Sequence, residues 1–162
     1  MKKILLGLGL LVNTLIYSQI EVTIQGSNVF LEYTTNESFN IMKEDIRLGP
    51  SAKTSLKQAL NKAVEWAELN ETHKKSFEKI ICSFRVMDTG TYNHFGYSEF
   101  HSKEMVIEFK GYSNGEFDLN LTIKNPPFSS SSISLNSLKQ LKDFKKILNG
   151  QSINPEIDEI FK

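Results

Sequence analysis

The stretch that decides the fold covers residues 105–123, with the sequence MVIEFKGYSNGEFDLNLTI. Apolar and polar residues alternate on both sides of a Ser-Asn-Gly turn at 113–115, a pattern that predicts a β-hairpin with one buried face. A two-residue Asn-Gly turn would place Phe109 opposite Asn120 and break the alternation. A three-residue loop with Gly115 in the left-handed conformation restores it.

The three-residue loop also predicts the register of the whole hairpin. Apolar residues then face one another on one side of the two strands, and opposite charges face one another on the other side. The predicted pairs are Phe109 with Leu119, Ile107 with Leu121, Met105 with Ile123, Lys110 with Asp118, and Glu104 with Lys124.

Length and charge limit the class of protein. A chain of 162 residues suits one domain with a substantial core. Its 19 basic and 19 acidic residues balance, and Arg47 and Arg85 are the only arginines. Because no basic cluster is present to neutralise phosphates, we expect no nucleic acid among the partners.

The first 18 residues follow the pattern of a secretory signal peptide. Lys2 and Lys3 form a charged start, an apolar run follows at 4–16, and cleavage is expected before Gln19. The apolar run is too short to span a bilayer, so no stable membrane insertion is expected after cleavage. The sequence therefore predicts export to the periplasm or the extracellular space.

The remaining chain predicts one α+β domain over residues 19–150, followed by a C-terminal tail at 151–162. Two short strands are expected within 21–33, and 36–48 is ambiguous, because its apolar residues are spaced cleanly for neither a helix nor a strand. A helix follows Gly49-Pro50-Ser51 and is predicted to end near Asn70, because apolar residues repeat there at helical spacing. Those residues are Leu56, Ala59, Leu60, Ala63 and Ala67.

The second half of the domain continues the pattern. A short helical turn is considered around 72–77, a strand is predicted at 80–87, and 129–132 is predicted to be a flexible connector. Ser137 begins a capping box for a last helix, which Asn149-Gly150 closes. The predicted order is β-β-α-β-β-β-α, a mainly antiparallel sheet with helices packed on one face.

Cys82 is the only cysteine, so an internal disulfide is excluded. Alternation places it on the same face as Ile80, Phe84 and Val86, which predicts a small buried side chain rather than a reactive thiol. A nucleophilic thiol would need an accessible, electropositive setting.

Four aromatic residues lie in the predicted loop between the strand at 80–87 and the hairpin. Aromatic side chains on loops are a common means of binding partners, since they offer large contact areas with few rotatable bonds. They also commonly pack down on a sheet as a lid. Both readings stay open for Tyr92, Phe95, Tyr97 and Phe100.

Asp88-Thr89-Gly90 matches the tripeptide of aspartic proteases, in which two such loops place two carboxylates side by side. Only one copy is present, so catalysis would need a homodimer. The same tripeptide is also ordinary turn chemistry. We therefore assign no catalytic residue.

A second candidate for chemistry is a group of potential zinc ligands within eleven residues. His94, Glu99, His101 and Glu104 match no established ligand spacing, and the alternative is that the histidines are solvated loop residues. We assign neither a metal site nor a cofactor.

Two features resemble small uncharacterised secreted proteins of Bacteroidetes. They are the leader that ends before Gln19, and the segment 56–81 with Trp66 near its centre. The resemblance implies export and no particular activity.

The sequence favours an exported, non-catalytic binding module whose partner is another protein or a small ligand. The alternative is a small hydrolase that uses Asp88 or the region of His94 and His101. An enzyme should place those residues in a concave pocket beside another titrating group. A binding module should instead show an exposed apolar patch or an open sheet edge.

Overall fold

The structure is a computed structural model that describes residues 20–25, 28–37, 40–124 and 131–151. The predicted signal peptide and the tail after Gln151 lie outside the described residues. No helix within the described ranges has the length and apolarity needed to cross a membrane.

Seven antiparallel strands and three helices make up the described fold, which confirms the α+β class. The strands lie in the sheet in their order along the chain. In chain order the elements are β1 Ile20–Gln25, β2 Asn28–Glu37, β3 Asn40–Leu48, α1 Pro50–His73, β4 Phe77–Asp88, α2 Thr89–Phe95, β5 Lys103–Gly111, β6 Phe117–Lys124, β7 Ser131–Leu135 and α3 Leu138–Leu148.

The central hairpin of β5 and β6 has the predicted register. Phe109 pairs with Leu119, and all four other predicted pairs are also present. Gly115 has φ +94°, and the Tyr112 N–H donates to the Glu116 carbonyl at 2.9 Å to close a three-residue loop. A glycine is favoured at that position because a side chain would be strained at positive φ.

The core lies between one face of the sheet and the helices α1 and α3. Alanines at 52, 59, 63 and 67 on α1 are buried, and their small side chains let the helix approach the strands closely. The inner face of the hairpin contributes fully buried side chains. The largest buried side chains of this core are Phe109, Phe144, Leu31, Ile46, Leu48, Leu56, Leu60, Met105, Ile107, Leu119 and Leu121.

Several predicted boundaries are wrong. In the segment that the sequence left ambiguous, residues 36–37 end β2 and residues 40–48 form β3. Residues 131–132 of the predicted connector belong to the strand β7. Helix α1 continues three residues past Asn70, and no helical turn follows, since β4 already begins at Phe77. Residues 89–95 form the short helix α2 rather than loop.

Ile80 does not face the core as the alternation predicted. A β-bulge between Ile80 and Cys82 adds Ile81 to β4, so Ile80 pairs with Glu108 while Cys82 pairs with the buried Ile107. Ile80 therefore lies on the outer face and is 62% exposed. Cys82 is half-buried against the core, and this burial raises the pKa of its thiol.

The strands β3 and β4 form a fork. They pair only where Ile46 lies opposite Asp88 and Arg47 lies opposite Met87. Residues 77–86 of β4 pair with β5 on one edge, and no strand in the described ranges pairs with their other edge. Because α1 begins two residues after β3 ends, its first turn lies at the point of this fork.

Candidate functional site at the start of helix α1

A pocket of about 370 Å³ lies at the fork, between the first turns of α1, the end of β4 and helix α2. Both arginines of the chain line this pocket, and we call it the arginine pocket. Its lining consists of Arg47, Gly49, Pro50, Ser51, Ala52, Ser55, Phe84, Arg85, Val86, Met87, Tyr92 and Tyr97.

The backbone pairing of β3 with β4 brings the two arginines together from distant points of the sequence. Arg47 lies opposite Met87, two residues beyond Arg85. The Arg47 guanidinium carbon lies 3.3 Å from the centre of the Tyr92 ring, a stacked cation–π contact. The Arg85 guanidinium donates to the Ser102 carbonyl at 3.4 Å. These contacts hold two permanent positive charges at the pocket wall.

The start of α1 adds backbone donors to the same pocket. Gly49 is the N-cap residue and offers no side-chain acceptor, and Pro50 at the first helical position has no N–H group. The N–H groups of Ser51 and Ala52 are thus first-turn donors without an intrahelical partner. First-turn N–H groups and the helix dipole both favour a negative charge at this end.

The charges around Arg85 are partly balanced. Glu104 lies near it, and a hydrogen bond from Ser83, the charge of Lys124 and the charge of Arg85 together lower the pKa of the Glu104 carboxyl. Glu104 therefore makes the positive charge of the arginine pocket smaller than two arginines alone would give, which suits a singly charged group better than a doubly charged one.

The four predicted aromatic residues divide into two groups. Tyr92 and Tyr97 line the arginine pocket, whereas Phe95 and Phe100 do not. Tyr97, Phe95 and Phe100 are 69%, 58% and 89% exposed, and Tyr92 is half-buried under Arg47. Helix α2 has no fully buried residue, although Tyr92 is half-buried. Whether these rings bind a partner stays a prediction.

Asp88 is the N-cap residue of α2. One carboxylate oxygen accepts from the Thr91 N–H at 2.7 Å, and the other accepts from the Thr91 hydroxyl at 2.6 Å. Burial alone would raise the pKa of this carboxyl, but the bonds from Thr91 and the charge of Lys103 outweigh it and lower the pKa. Asp88 therefore caps the start of α2.

The histidines of this region take part in ring stacking. His101 stacks on Phe95 with ring centres 4.6 Å apart, and the rings of His94 and Phe95 meet edge to face with centres 4.4 Å apart. No group of three potential metal ligands comes together within the described residues. The Nδ1 atom of His101 is buried without a hydrogen-bond partner among the described atoms.

Two further cavities continue from the arginine pocket along α1 and β4. One, of about 380 Å³, is bounded by Ser55, Lys62 and Trp66 on α1 and by residues 80–82 of β4, including Cys82. The other, of about 340 Å³, lies between Trp66 and the start of β4. Ser55 lines the arginine pocket and the first of these two cavities, and Trp66 lines both of the two, so the three lie in a row along α1. We call this row the α1–β4 groove.

Comparison with protein-family models, with curated proteins and with solved structures finds no significant match to this chain.

Sequence reasoning named the two tyrosines of the pocket but missed Arg47 and Arg85. The arginines were considered only as too few for nucleic-acid binding. The composition nevertheless carried a signal: the chain has two arginines against seventeen lysines, so each arginine position was a candidate for a specific role. What the sequence did not show is the strand pairing that brings them together.

Proposed function

We propose that this chain is a non-catalytic binding module whose arginine pocket holds a carboxylate of its ligand. The observation that carries the proposal is that both arginines line the same pocket as the uncapped first turn of α1. The planar guanidinium group matches a carboxylate in geometry, and first-turn N–H groups supply further donors. The partial balance of Arg85 by Glu104 favours a singly charged carboxylate over a doubly charged phosphate.

The apolar part of the lining supports a ligand that is more than a bare anion. Phe84, Val86, Met87 and the two tyrosine rings surround the charged groups. Ligand sites commonly combine an apolar wall with a few placed polar groups that fix orientation. The pocket therefore suits a carboxylate attached to an apolar or aromatic body.

Two observations favour binding over catalysis. Asp88, His94 and His101 do not line the cavities of the α1–β4 groove. The features expected of a binding module are present instead, namely exposed aromatic rings and an open sheet edge on β4.

The proposal is tested with N-acetylphenylalanine and its amide, N-acetylphenylalaninamide, which differ only in the carboxylate. We expect the carboxylate to shift the backbone amide NMR signals of Ser51 and Ala52, and the amide to leave them unchanged. Arg47→Gln or Arg85→Gln should weaken binding roughly tenfold, because a hydrogen bond to a charged group contributes about 1.5–3 kcal/mol. Lys146→Gln, at an exposed position on α3, is the matched control. Equal shifts with both ligands, or arginine variants that bind as the control does, would contradict the proposal.

We also propose that the module acts outside the cytoplasm. The charged start and short apolar run of residues 1–18, together with the resemblance to secreted Bacteroidetes proteins, support this. The intact mass of protein recovered from the periplasm or the medium should correspond to a chain that begins at Gln19. A mass that retains residues 1–18 would contradict export with cleavage.

A further inference from the structure

We infer that the α1–β4 groove takes an extended acidic peptide segment, which adds to the open edge of β4 as a further strand. This inference rests on the proposed function, since one acidic side chain of the segment would occupy the arginine pocket. It goes further by naming the class of partner and the surface that this partner covers.

The open edge of β4 supplies the backbone part of the site. Residues 77–86 pair with β5 on one side only, as far as the described chain extends. An unpaired strand edge presents a row of N–H and C=O groups, and a peptide can bind there by forming main-chain hydrogen bonds. At about 3.3 Å per residue, the edge is about 30 Å long, which suits a segment of eight to ten residues.

The groove provides room for the side chains of such a segment. Its three cavities follow α1 from the first turn to the last, and each is bounded on the other side by β4. Trp66 lies where two of them meet and forms part of both walls. Alternate side chains of an added strand would point into these cavities, and the intervening ones would point away.

The charge of the groove determines the chemistry of the partner. The described residues that line it include Arg47, Arg85, Lys62, Lys75 and Lys79, and no aspartate or glutamate. The whole chain is neutral, so this concentration of one sign is local. Lys62 is paired with Glu65 at 3.0 Å, and Glu104 balances part of the Arg85 charge. Lys75 and Lys79 add positive charge at the end of the groove that is far from the arginine pocket. An acidic segment complements that distribution, whereas a basic one would be repelled.

Trp66 provides a direct readout, because it is the only tryptophan of the chain and lies in the groove. The probe is an acetylated and amidated eight-residue peptide in which glutamate alternates with threonine and valine. We expect its addition to shift the Trp66 emission in a saturable way, and a peptide with lysine in place of glutamate to have no effect. Lys75→Gln combined with Lys79→Gln should weaken binding at least fivefold, while Lys146→Gln should leave it unchanged.

N-methylation of the peptide separates strand addition from simple charge attraction. In an extended strand, the N–H groups of alternate residues point to the same edge, so only one alternating set can bond to β4. We expect methylation of one set to abolish binding and methylation of the other to be tolerated. Equal tolerance of both peptides would overturn strand addition, and it would leave the carboxylate proposal standing if N-acetylphenylalanine still bound. N-acetylphenylalanine is expected to occupy only the arginine pocket, which Trp66 does not line, and it should therefore leave the Trp66 emission unchanged.

Two other occupants of the edge would also overturn the inference. A second copy of the chain is indicated if light scattering shows a dimer that the peptide cannot dissociate. The chain's own C-terminal residues are indicated if peptide binding appears only after deletion of 152–162.

Discussion

Asp88 shows how strongly a short motif depends on its surroundings. Its two carboxylate oxygens are both engaged by Thr91, one by the backbone N–H and one by the hydroxyl. The carboxylate therefore stabilises the start of α2, the helix that carries Tyr92 to the arginine pocket. A residue that suggested catalysis in the sequence instead positions a wall of the candidate binding site.

This role predicts a pH dependence of stability. Because the fold lowers the pKa of Asp88, its stabilising contribution is complete above the ordinary pKa of an aspartate, about 4, and is lost as the pH falls through the lower folded value. Asp88→Ala should cost about 1 kcal/mol of unfolding free energy at pH 7 through loss of the cap. The deficit should shrink as the solution is acidified, measured by urea denaturation at several pH values. The exposed Asp45→Ala serves as control, and a deficit that stays constant down to low pH would contradict the role.

Asn70 joins the end of α1 to the loop of the central hairpin. Its amide donates to the Tyr112 carbonyl at 3.0 Å and to the Glu116 carbonyl at 2.9 Å, and its oxygen accepts from the Lys75 N–H at 3.0 Å. The side chain is buried, so water cannot easily replace these bonds.

We expect Asn70→Ala to lower the unfolding free energy by about 2 kcal/mol, because it removes three hydrogen bonds made by a buried side chain. Asn61→Ala, on an exposed position of the same helix, should have little effect. Chemical denaturation of both variants measures the difference. Similar midpoints would mean that the Asn70 bonds do not hold the hairpin to the helix.

At the scale of elements, the hairpin of β5 and β6 was predictable because three requirements agreed. One register alone placed apolar residues on one face, paired opposite charges on the other and put Gly115 at the turn position that needs positive φ. The capping of α3 was predictable for a similar reason, since the Ser137 hydroxyl accepts from the Gln140 N–H and Gly150 has φ +74°. Local chemistry determined both.

The same reasoning failed where a single residue changed the pattern. The bulge at Ile81 reverses the faces of β4 on either side of it, and no local signal in Ile80-Ile81-Cys82 marks its position. The serine-rich segment that begins β7 has little β propensity of its own, and its pairing with β6 depends on the partner strand. Those features are set by tertiary contacts.

The register of the hairpin gives a matched pair of variants. Leu121 is fully buried opposite Ile107, so Leu121→Ala should cost about 2–5 kcal/mol by leaving a cavity. Asn120 points to the other face, where it accepts a hydrogen bond from the Ser134 hydroxyl at 2.6 Å, and Asn120→Ala should cost about 1 kcal/mol or less. Equal shifts of the two denaturation midpoints would contradict the register.

Across the whole molecule, a neutral chain carries a locally positive groove. The fork between β3 and β4 creates it, because the two strands part after two residue pairs and leave one edge of β4 without a partner among the described strands. The sequence predicted a strand at 80–87, which lies within β4, and placed four aromatic residues in the segment that follows it. It did not predict the fork, because strand pairing between β3 and β4 joins residues about forty positions apart.

The central claim is that the α1–β4 groove is the binding surface of this protein. Amide hydrogen exchange tests it most directly, with the full chain alone and saturated with the capped acidic peptide. We predict new protection at alternate residues of 77–86 and at Ser51 and Ala52, with no change in β7, which lies at the end of the described sheet. Protection confined to β7, or no change along 77–86 at saturating peptide, would contradict the claim.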